Sequence, residues 1–402
     1  MAYEGRRKAR EGAGNADGAI ADKIRVNDLR NTTTDISKER MMKEYLQTGT
    51  QNLSKEDLET AIEDFGMALA FKPNSPAAYF GIGTALLELE DYEGAIHNFS
   101  KAIKFGMKDA QVFHSRGLSN YHLGNLQQAI ADQTRAIKRD PSLESAHYCR
   151  GRAYHDSGKF RAAIRDYDTT LKLAPHNTVV YYYRGQAKRD LGDYKSAIQD
   201  FTLLIESDPT CAEYYSQRAQ TMYRWAMSKS KIADQLELIA DIGAPERQKW
   251  LSKERVSRLE AALADSDKAI LLEPSAEASY NRSLVNFRLN RLDAALADCK
   301  TAVGLEPDFA DAWHNLGCVM YKLGSMQYSD TLLKEAMAAF DNAIKYKETL
   351  AGAYYLRSKL REKFGDEKGA QEDTMQALTR KILGDAGWDD ASVADVLRGR
   401  RA

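Results

Sequence analysis

The regular spacing of the prolines is the feature that most constrains this chain. Six of the eight prolines recur at a near-constant interval, and they are Pro73, Pro141, Pro175, Pro209, Pro274 and Pro307. Successive members from 141 to 209 are 34 residues apart, and the step from 209 to 274 is 65 residues, which is one interval plus 31 residues. A fixed period in this range is typical of stacked supersecondary units, each contacting only its neighbours, rather than of one globular core.

Each unit has the pattern of two helices joined by a tight turn. When a unit is taken to open at Pro76, its eighth position is a small residue and its twentieth is alanine in every unit. Small side chains at these positions let two helices cross closely, and a proline at the end of the unit stops the second helix. The predicted units are 42–75, 76–109, 110–143, 144–177, 178–211, 212–275, 276–309, 310–350 and 351–383.

This pattern resembles the tetratricopeptide repeat (TPR) family. Unit 310–350 carries the signature side chains of that family, namely Trp313, Leu316, Gly317, Met320, Ala336 and Phe340. The resemblance covers residues 42–383. It implies an all-α fold, a right-handed superhelical α-solenoid of about nine TPR-like helical hairpins.

A second regularity goes beyond the TPR signature. Arginine at the seventh position of a unit occurs together with aspartate at the twenty-third in six units, and the other three units never hold both. We predict that the two side chains meet across the hairpin as a partly buried ion pair; the alternative is a ladder of arginines that binds an acidic ligand. The predicted pairs are Arg116 with Asp132, Arg150 with Asp166, Arg184 with Asp200, Arg218 with Asp265, Arg282 with Asp298, and Arg357 with Asp373.

The first helices of the units supply a candidate binding groove. The resemblance implies that these helices line a concave surface, and tyrosine and arginine, which protein interfaces favour, are frequent there. The alternative is that many of these tyrosines pack against the neighbouring unit. The predicted groove residues are Phe80, His114, Tyr121, Tyr148, Arg152, Tyr182, Arg189, Tyr223, Tyr280 and Tyr321, and Tyr148, Arg152, Tyr182 and Arg189 are expected to contribute most. Further candidates are His122, Tyr183, Arg224, Phe287, Arg288 and Tyr355.

Three segments break the repeat. Residues 1–41 are rich in glycine, alanine and charge, which favours an extended or disordered tail followed by a helix capped at Asp35 or Ser37. The alternative is that the basic cluster at residues 6–10 of this tail contacts an acidic surface of a partner. The insertion 226–256 is predicted to form a projecting hairpin that either seals its own two arms or docks a partner. In residues 384–402, Gly384 and Gly387 are predicted to interrupt the helix, and a capping helix over the last unit is expected at 388–398, followed by a tail.

Composition and motifs argue against catalysis and against several classes of ligand. The net charge of −1 gives a weak electrostatic case for nucleic acid, and no run approaches the roughly 18 apolar residues that span a bilayer. The chain lacks a His-Glu-x-x-His motif, a phosphate-binding loop and a Gly-x-Ser-x-Gly elbow. We expect no cofactor, reduced thiols at the four cysteines, and no metal, with a site on His114, His122 and His155 as a minor alternative.

A co-chaperone role is also disfavoured. In the TPR family, a C-terminal carboxylate is gripped by lysine and asparagine at fixed positions of consecutive units, and no unit here holds the first lysine–asparagine pair. Where Asn281 would be the middle residue, Asp311 replaces the required cation and would repel a carboxylate.

We therefore expect a non-enzymatic scaffold or adaptor that binds one or more proteins, as a peptide or helix in the groove. By resemblance, such arrays serve in large complexes, including cytoskeletal and ciliary assemblies. The expected location is cytoplasmic, with the cytoskeleton or cilium as an alternative, and the oligomeric state stays open. RNA binding is the less favoured alternative, because acidic residues are interspersed among the aromatic ones.

Overall fold

The computed structural model describes residues 35–228 and 253–386. Regular secondary structure in these ranges is entirely α-helical, and eighteen helices follow one another. They are α1 (Asp35–Ser54), α2 (Leu58–Phe71), α3 (Pro76–Glu88), α4 (Tyr92–Lys104), α5 (Ala110–His122), α6 (Leu126–Arg139), α7 (Glu144–Asp156), α8 (Phe160–Leu173), α9 (Thr178–Leu191), α10 (Tyr194–Ser207), α11 (Ala212–Met227), α12 (Lys253–Leu272), α13 (Ala276–Arg288), α14 (Leu292–Leu305), α15 (Ala310–Gln327), α16 (Asp330–Tyr346), α17 (Ala351–Lys363) and α18 (Glu367–Ala386).

The chain divides into two compact units, Met1–Ala187 and Lys188–Ala402, and the boundary lies within α9. In the first unit, α1 to α8 form four helical hairpins, and the second helix of each hairpin packs on the first helix of the next. In the second unit, α11 to α18 form four more hairpins that pack in the same way. This is the stacked-hairpin arrangement of an all-α repeat solenoid, as the sequence pattern predicted.

The repeated prolines link one hairpin to the next. Each second helix that is followed by one of these prolines ends two residues before it, because proline cannot continue the hydrogen-bond ladder. The proline carbonyl then accepts a hydrogen bond from the aromatic side chain at the fourth position of the following hairpin, as Trp313 Nε1 donates to Pro307 O over 2.8 Å. The same bond joins Tyr79 to Pro73, His147 to Pro141, Tyr181 to Pro175 and Tyr215 to Pro209.

Side-chain caps fix where many of the helices begin. The carboxylate of Asp91 accepts a hydrogen bond from the backbone N–H of Gly94 at 2.9 Å, and the hydroxyl of Ser275 accepts one from Ala278 at 3.1 Å. Such caps satisfy backbone donors that have no partner inside the helix and each stabilise it by about 1 kcal/mol. The equivalent caps are Asp57, Ser75, Asp193 and Ser329.

Close crossing of the two helices explains the small residue at the eighth position. A Cβ atom at Gly151 would lie 2.7 Å from Cε1 of Tyr167, and one at Gly317 would lie 2.5 Å from Cε1 of Phe340. Both rings are fully buried between their helices. A larger residue at either glycine would force the hairpin apart and disrupt its core.

The irregular segments are accommodated without loss of the repeat register. Helix α11 has 16 residues and α12 has 20, against 13 and 14 in α13 and α14. Most of the predicted 226–256 hairpin lies outside the described residues. Helices α15 and α16, with 18 and 17 residues, absorb a shorter insertion while Gly317 still packs on Phe340.

The two ends of the described chain differ in how they match the sequence prediction. Helix α1 begins at Asp35, where a helix start was predicted, and residues 1–34 of the predicted tail lie outside the described part. Helix α18 continues through Gly384 to Ala386, so the predicted interruption at Gly384 is wrong, because one glycine costs a helix only about 1 kcal/mol. The predicted capping helix falls on residues 387–402, which the structure does not describe.

No helix among the described residues is both long and apolar enough to cross a membrane.

Candidate interaction surface

The first helices of successive hairpins lie side by side and present one face away from their second helices. We call this face the first-helix wall. In the first compact unit α3 contacts α5, and α5 contacts α7. One group of side chains on this wall, which we call the Arg152 cluster, consists of Tyr121, Tyr148, Arg152, Asp156, Tyr182 and Tyr183.

The Arg152 cluster is built around one guanidinium group. Its central carbon lies 4.7 Å from the ring centroid of Tyr121, 4.9 Å from that of Tyr183 and 6.0 Å from that of Tyr148. These tyrosines belong to three successive first helices, α5, α7 and α9. A cation in contact with the faces of aromatic rings is attracted by about 0.5–1 kcal/mol at an exposed site, and by more when water is excluded.

The tyrosine rings also contact one another and an acid. Tyr148 meets Tyr183 edge-on with centroids 5.8 Å apart, and Tyr183 meets Tyr182 edge-on at 5.4 Å. The Tyr121 hydroxyl donates a hydrogen bond of 2.5 Å to Oδ2 of Asp156. Burial and then this hydrogen bond raise the pKa of Tyr121 to about 12, although Arg152 opposes the shift. The Tyr121 hydroxyl therefore stays protonated at neutral pH and donates its proton to Asp156.

All five cationic and aromatic members of the cluster are half-buried. Half-burial means that each side chain packs on its neighbours and still presents part of its surface to solvent. The cluster therefore combines fixed aromatic faces, hydroxyl groups and one guanidinium at a single surface. Such a combination suits recognition of a peptide, because large rigid side chains bury much area at little cost in conformational entropy.

Some predicted groove residues lie in the interior rather than on the exposed wall. His114 is buried, its Nδ1 lies 2.9 Å from Oε1 of Gln133, and burial lowers its pKa. Phe80 is half-buried and also packs on Phe99 within its own hairpin. In the second compact unit, Arg189 is buried and donates to Oε1 of Gln217 and to the side chain of Gln220 on α11.

The wall of the second unit also places cations beside aromatic side chains. Arg288 Nε donates to the hydroxyl of Tyr223 over 3.5 Å, and Lys322 Nζ lies 5.0 Å from the ring centroid of Phe287. Tyr280 packs on Phe309 and burial raises its pKa. Tyr321 and Tyr355 are half-buried beside the core of the last hairpins. Cations here lie among aromatic rings, as in the Arg152 cluster.

The structure brings together the members of five predicted arginine–aspartate pairs. The shortest N–O distances run from 2.5 to 2.8 Å, and each aspartate is buried. In four of them, Nε and Nη2 of the arginine each donate to a separate carboxylate oxygen: Arg116–Asp132, Arg150–Asp166, Arg218–Asp265 and Arg357–Asp373. The sixth pair, Arg184 and Asp200, has its members in different compact units and stays a prediction.

Each of the six arginines also reaches the preceding hairpin, which the sequence analysis missed. Arg150 Nη1 donates to the hydroxyl of Thr134 over 3.2 Å, and Arg357 Nη1 donates to the carboxylate of Asp341 over 2.7 Å. The other acceptors at this position are Ser100, Asp168, Thr202 and Asp267. We call the six arginines and their acceptors the arginine ladder.

A signal for these acceptors was present in the sequence. Each acceptor lies 15 or 16 residues before its arginine. Where the arginine is replaced by Ile82 or Leu316, the residue sixteen positions earlier is Gly66 or Lys300, neither of which accepts a hydrogen bond through its side chain. The pattern appears only when neighbouring units are compared with each other.

The described residues offer no arrangement typical of catalysis or metal binding. No group of three or more His, Cys, Asp or Glu side chains in them could hold a metal ion. Cys318 Sγ lies 3.8 Å from Nε2 of His314, but burial raises the pKa of the thiol to about 12 and lowers that of the imidazole. Because the thiolate is the reactive form, this pair is a neutral packing contact.

Comparisons with known proteins agree with the fold. The tetratricopeptide repeat family model matches residues 49–110, 80–144, 148–210 and 251–312. The C-terminal part of a TPR repeat-containing protein from Cytophaga hutchinsonii is 19% identical, with a TM-score of 0.50 over 67% of this chain and 99% of that one. A TPR protein from Parabacteroides merdae is 18% identical, with a TM-score of 0.47 over 70% and 99%. A search of curated proteins gives no match.

The likeness to these solved structures concerns the fold alone, because the identities are low. The family model goes further, since its four matches together span more than half of the chain. The proline-linked hairpins and the glycine-to-ring crossings agree with that assignment. The chain belongs to the tetratricopeptide repeat family, whose fold generally serves as a non-enzymatic scaffold for protein–protein interaction.

Proposed function

We propose that this protein is a non-enzymatic adaptor that binds an extended or helical segment of a partner protein on the first-helix wall of its first compact unit. The observation that carries the proposal is the position of Arg152, held between tyrosines of α5, α7 and α9 at 4.7 to 6.0 Å. A segment that covered this cluster would contact three successive hairpins at once.

The physical case rests on what such a cluster can contribute to binding. Tyrosine and arginine dominate interface hot spots, because they bury a large area and keep a hydrogen-bonding tip. The mutual contacts of Arg152, Tyr148 and Tyr183 restrict their rotamers before a ligand arrives. Restricting rotamers in advance lowers the entropy cost of association.

The test is a double substitution on the wall, Arg152→Ala with Tyr182→Ala. We leave Tyr148 intact because its ring packs on the buried Tyr167 and its loss would also perturb the hairpin core. The control is Arg161→Ala, which removes an exposed arginine from α8 on the opposite side of the hairpin. Both variants should keep the helical circular-dichroism spectrum.

The immobilised full chain would capture partners, and the bound segment would be identified by mass spectrometry and titrated directly. The double variant should bind that segment at least about tenfold more weakly, since removing charge-assisted hydrogen bonds alone costs about 1.5 kcal/mol or more. The control should bind as the unmodified protein does. If the double variant retained every partner at full affinity, the proposed wall would be wrong and the outer surface of the second helices would become the candidate.

Two finer proposals rest on the sequence alone. We propose a cytoplasmic setting, with a cytoskeletal or ciliary assembly as the alternative; imaging of a tagged full chain separates the two.

We also propose that the 226–256 insertion makes a secondary contact. Replacing 227–255 with a short Gly/Ser turn should leave the helical spectrum and cooperative melting intact and remove one partner. Collapse of the fold on that deletion would show that the insertion belongs to the core.

A further inference from the structure

A buried hydroxyl group beside the Arg152 cluster has no hydrogen-bond partner among the described residues. It belongs to Tyr167 of α8, whose side chain is fully buried and packs on Tyr148 with ring centroids 6.3 Å apart. The same position of three other hairpins holds a fully buried phenylalanine: Phe99, Phe201 and Phe340. The ring alone is therefore sufficient for the hairpin core, and the buried hydroxyl costs free energy unless an acceptor takes its hydrogen bond.

The hydroxyl end of Tyr167 lies on the side of α7 that carries the cluster. Its Cζ atom, which bears the hydroxyl, would lie 3.3 Å from a Cβ atom at Gly151, the residue directly before Arg152. Burial and then Tyr148 raise the pKa of Tyr167, whereas the charge of Arg152 lowers it. The hydroxyl therefore keeps its proton at neutral pH, and the groups that act on it are members of the cluster.

Arg152 makes no ion pair with a carboxylate in the part of the chain that the structure describes. Asp166 of the same hairpin pairs with Arg150, and the carboxylate of Asp156 accepts the hydrogen bond of Tyr121. Arg152 itself interacts with the Tyr121 hydroxyl and with ring faces, which leaves most of the five N–H donors of its guanidinium group for a ligand. A half-buried guanidinium group gains most from an anion that accepts two of these donors at once.

We propose that Arg152 and the Tyr167 hydroxyl form a subsite for the carboxylate of an aspartate or glutamate side chain in the bound partner segment. Arg152 donates to the carboxylate from the edge of its guanidinium group, and the Tyr167 hydroxyl donates to the oxygen that lies deeper. The Tyr148 ring, which packs on Tyr167, is half-buried, and the χ2 torsion of a tyrosine has a broad energy minimum. A tilt of that ring gives the carboxylate access without a change of rotamer. Because the carboxylate belongs to the segment on the first-helix wall, the subsite presupposes the proposed function.

The position of Arg152 favours an internal side chain over the C-terminus of a partner. Arg152 lies on α7, and the tyrosines around it belong to α5, α7 and α9. A segment that crosses these three helices places its middle, rather than its end, at α7. The acid is therefore expected within the segment, between apolar or aromatic side chains that cover Tyr121 and Tyr183.

A single guanidinium group also favours a carboxylate over a nucleic acid. Nucleic-acid sites use a stripe of cations that follows many phosphates, and their affinity grows with the number of phosphates neutralised. The wall of the first compact unit instead has exposed acids at the thirteenth position of two hairpins, Glu88 on α3 and Asp156 on α7. These acids would repel a chain of phosphates.

The experiment selects binders to the immobilised full chain from random heptapeptides displayed on phage. Each peptide is joined to the phage protein at its C-terminus, so that only side chains supply carboxylates. Selected sequences are then made as capped, fluorescein-labelled peptides, together with matched peptides in which glutamine replaces the acid. Fluorescence anisotropy measures their affinities for the full chain, and a short oligouridylate serves as the nucleic-acid probe.

The variants remove one proposed donor at a time. Arg152→Gln removes the guanidinium group, and its control Arg161→Gln removes an exposed one from α8. Tyr167→Phe removes only the buried hydroxyl, and its control Tyr346→Phe removes an exposed hydroxyl from α16 in the second compact unit. Thermal melts followed by circular dichroism show whether each variant folds.

The selected peptides should share an aspartate or glutamate at one position, and its replacement by glutamine should weaken binding at least about tenfold. Arg152→Gln should cause a similar loss. Tyr167→Phe should weaken binding about threefold or more while its Tm stays equal or rises, because phenylalanine already fills this place in other hairpins. Both controls should bind as the unmodified protein does.

Several results would overturn the subsite. Peptides that depend on the wall but share no acid would do so and leave the proposed function standing. Full affinity for the acidic peptides in Arg152→Gln or in Tyr167→Phe would also contradict it. Tighter binding of oligouridylate that depends on Arg152 would overturn the assigned class of partner. Selection of no peptide, or of peptides whose binding survives the double substitution Arg152→Ala with Tyr182→Ala, would overturn the proposed function and the subsite with it.

Discussion

Helix α7 carries two arginines that lie in different regions of the molecule. Arg150 belongs to the arginine ladder, donates two hydrogen bonds to the buried carboxylate of Asp166 and reaches Thr134 of the preceding hairpin. Arg152 belongs to the first-helix wall, where it is surrounded by tyrosine rings. Because each residue turns about 100° around an α-helix, two positions of separation place these side chains on nearly opposite faces.

The comparison shows how one residue type serves two purposes in this repeat. The side chain of Asp166 is only 7% exposed, so the charge of that carboxylate depends on Arg150 for compensation. Arg152 contacts ring faces that need no compensation, and its own charge stays partly accessible to solvent. The first arrangement should matter for stability and the second for binding.

The largest expected effect is that of Arg150→Ala on stability. The substitution leaves the buried Asp166 carboxylate without its bidentate partner, which should lower the free energy of unfolding by about 3–5 kcal/mol. Urea denaturation followed by circular dichroism measures the change. The matched control is Arg161→Ala on the exposed face of α8, which should alter stability by less than about 0.5 kcal/mol. Equal stability of the two variants would show that the pair is not a structural element.

The protein should lose stability at acidic pH because His114 is buried inside a hairpin. Burial lowers the pKa of His114 in the folded state, so the unfolded chain takes up the proton more readily. The stability contributed by neutral His114 is therefore complete above the unfolded-state pKa of about 6.5, and it is lost as the pH falls below that pKa. His114→Asn should reduce the drop in Tm between pH 7.5 and 5.5, whereas His176→Asn, at an exposed position, should not. An unchanged drop in His114→Asn would contradict this origin.

A smaller effect is expected where the arginine ladder uses a hydroxyl. Thr134 accepts from Arg150, while the same position holds Asp168 before Arg184 and Asp341 before Arg357. Thr134→Asp should replace a neutral acceptor with a charged one and raise stability by about 0.2–1 kcal/mol at low salt. Thr134→Ala should lower it by about 0.5–1 kcal/mol. Thermal melts compare the two variants, and stabilisation by alanine would argue against a role for this contact.

The effect of Arg152→Ala on stability should also be small. The cation–aromatic contacts that it removes are only half-buried, so the loss should stay below about 1 kcal/mol. The same urea titration measures it. A loss as large as that of Arg150→Ala would assign Arg152 to the core and would remove the main support for the wall as a binding surface.

The hairpin register and the ion pairs could be predicted because each involves residues of a single unit and recurs from one unit to the next. The proline interval, the small residue at the eighth position and the joint occurrence of Arg150 and Asp166 report contacts between two helices of fixed spacing. Six occurrences of one residue pair within a single sequence give a signal that one copy would not. The all-α repeat fold followed from the same pattern.

The surface was harder to predict because exposure depends on the angle between neighbouring hairpins. Two residues that the sequence predicted on the groove, His114 and Arg189, are buried. Gln133 contacts His114 and Gln217 contacts Arg189, and these partners are not part of the repeating pattern. Insertion of Arg152 between tyrosines of neighbouring helices likewise depends on how the hairpins stack. A pattern read within one unit does not contain that information.

The most direct test of the division of roles on α7 is to measure both properties in both variants, Arg150→Ala and Arg152→Ala. Stability is taken from urea denaturation, and affinity is measured at low temperature for the partner segment captured by the unmodified protein. Arg150→Ala should lose about 3 kcal/mol or more of stability and keep its affinity within about threefold. Arg152→Ala should keep its stability within about 1 kcal/mol and lose affinity at least about tenfold. The opposite assignment, or equal losses of both properties in both variants, would contradict the account.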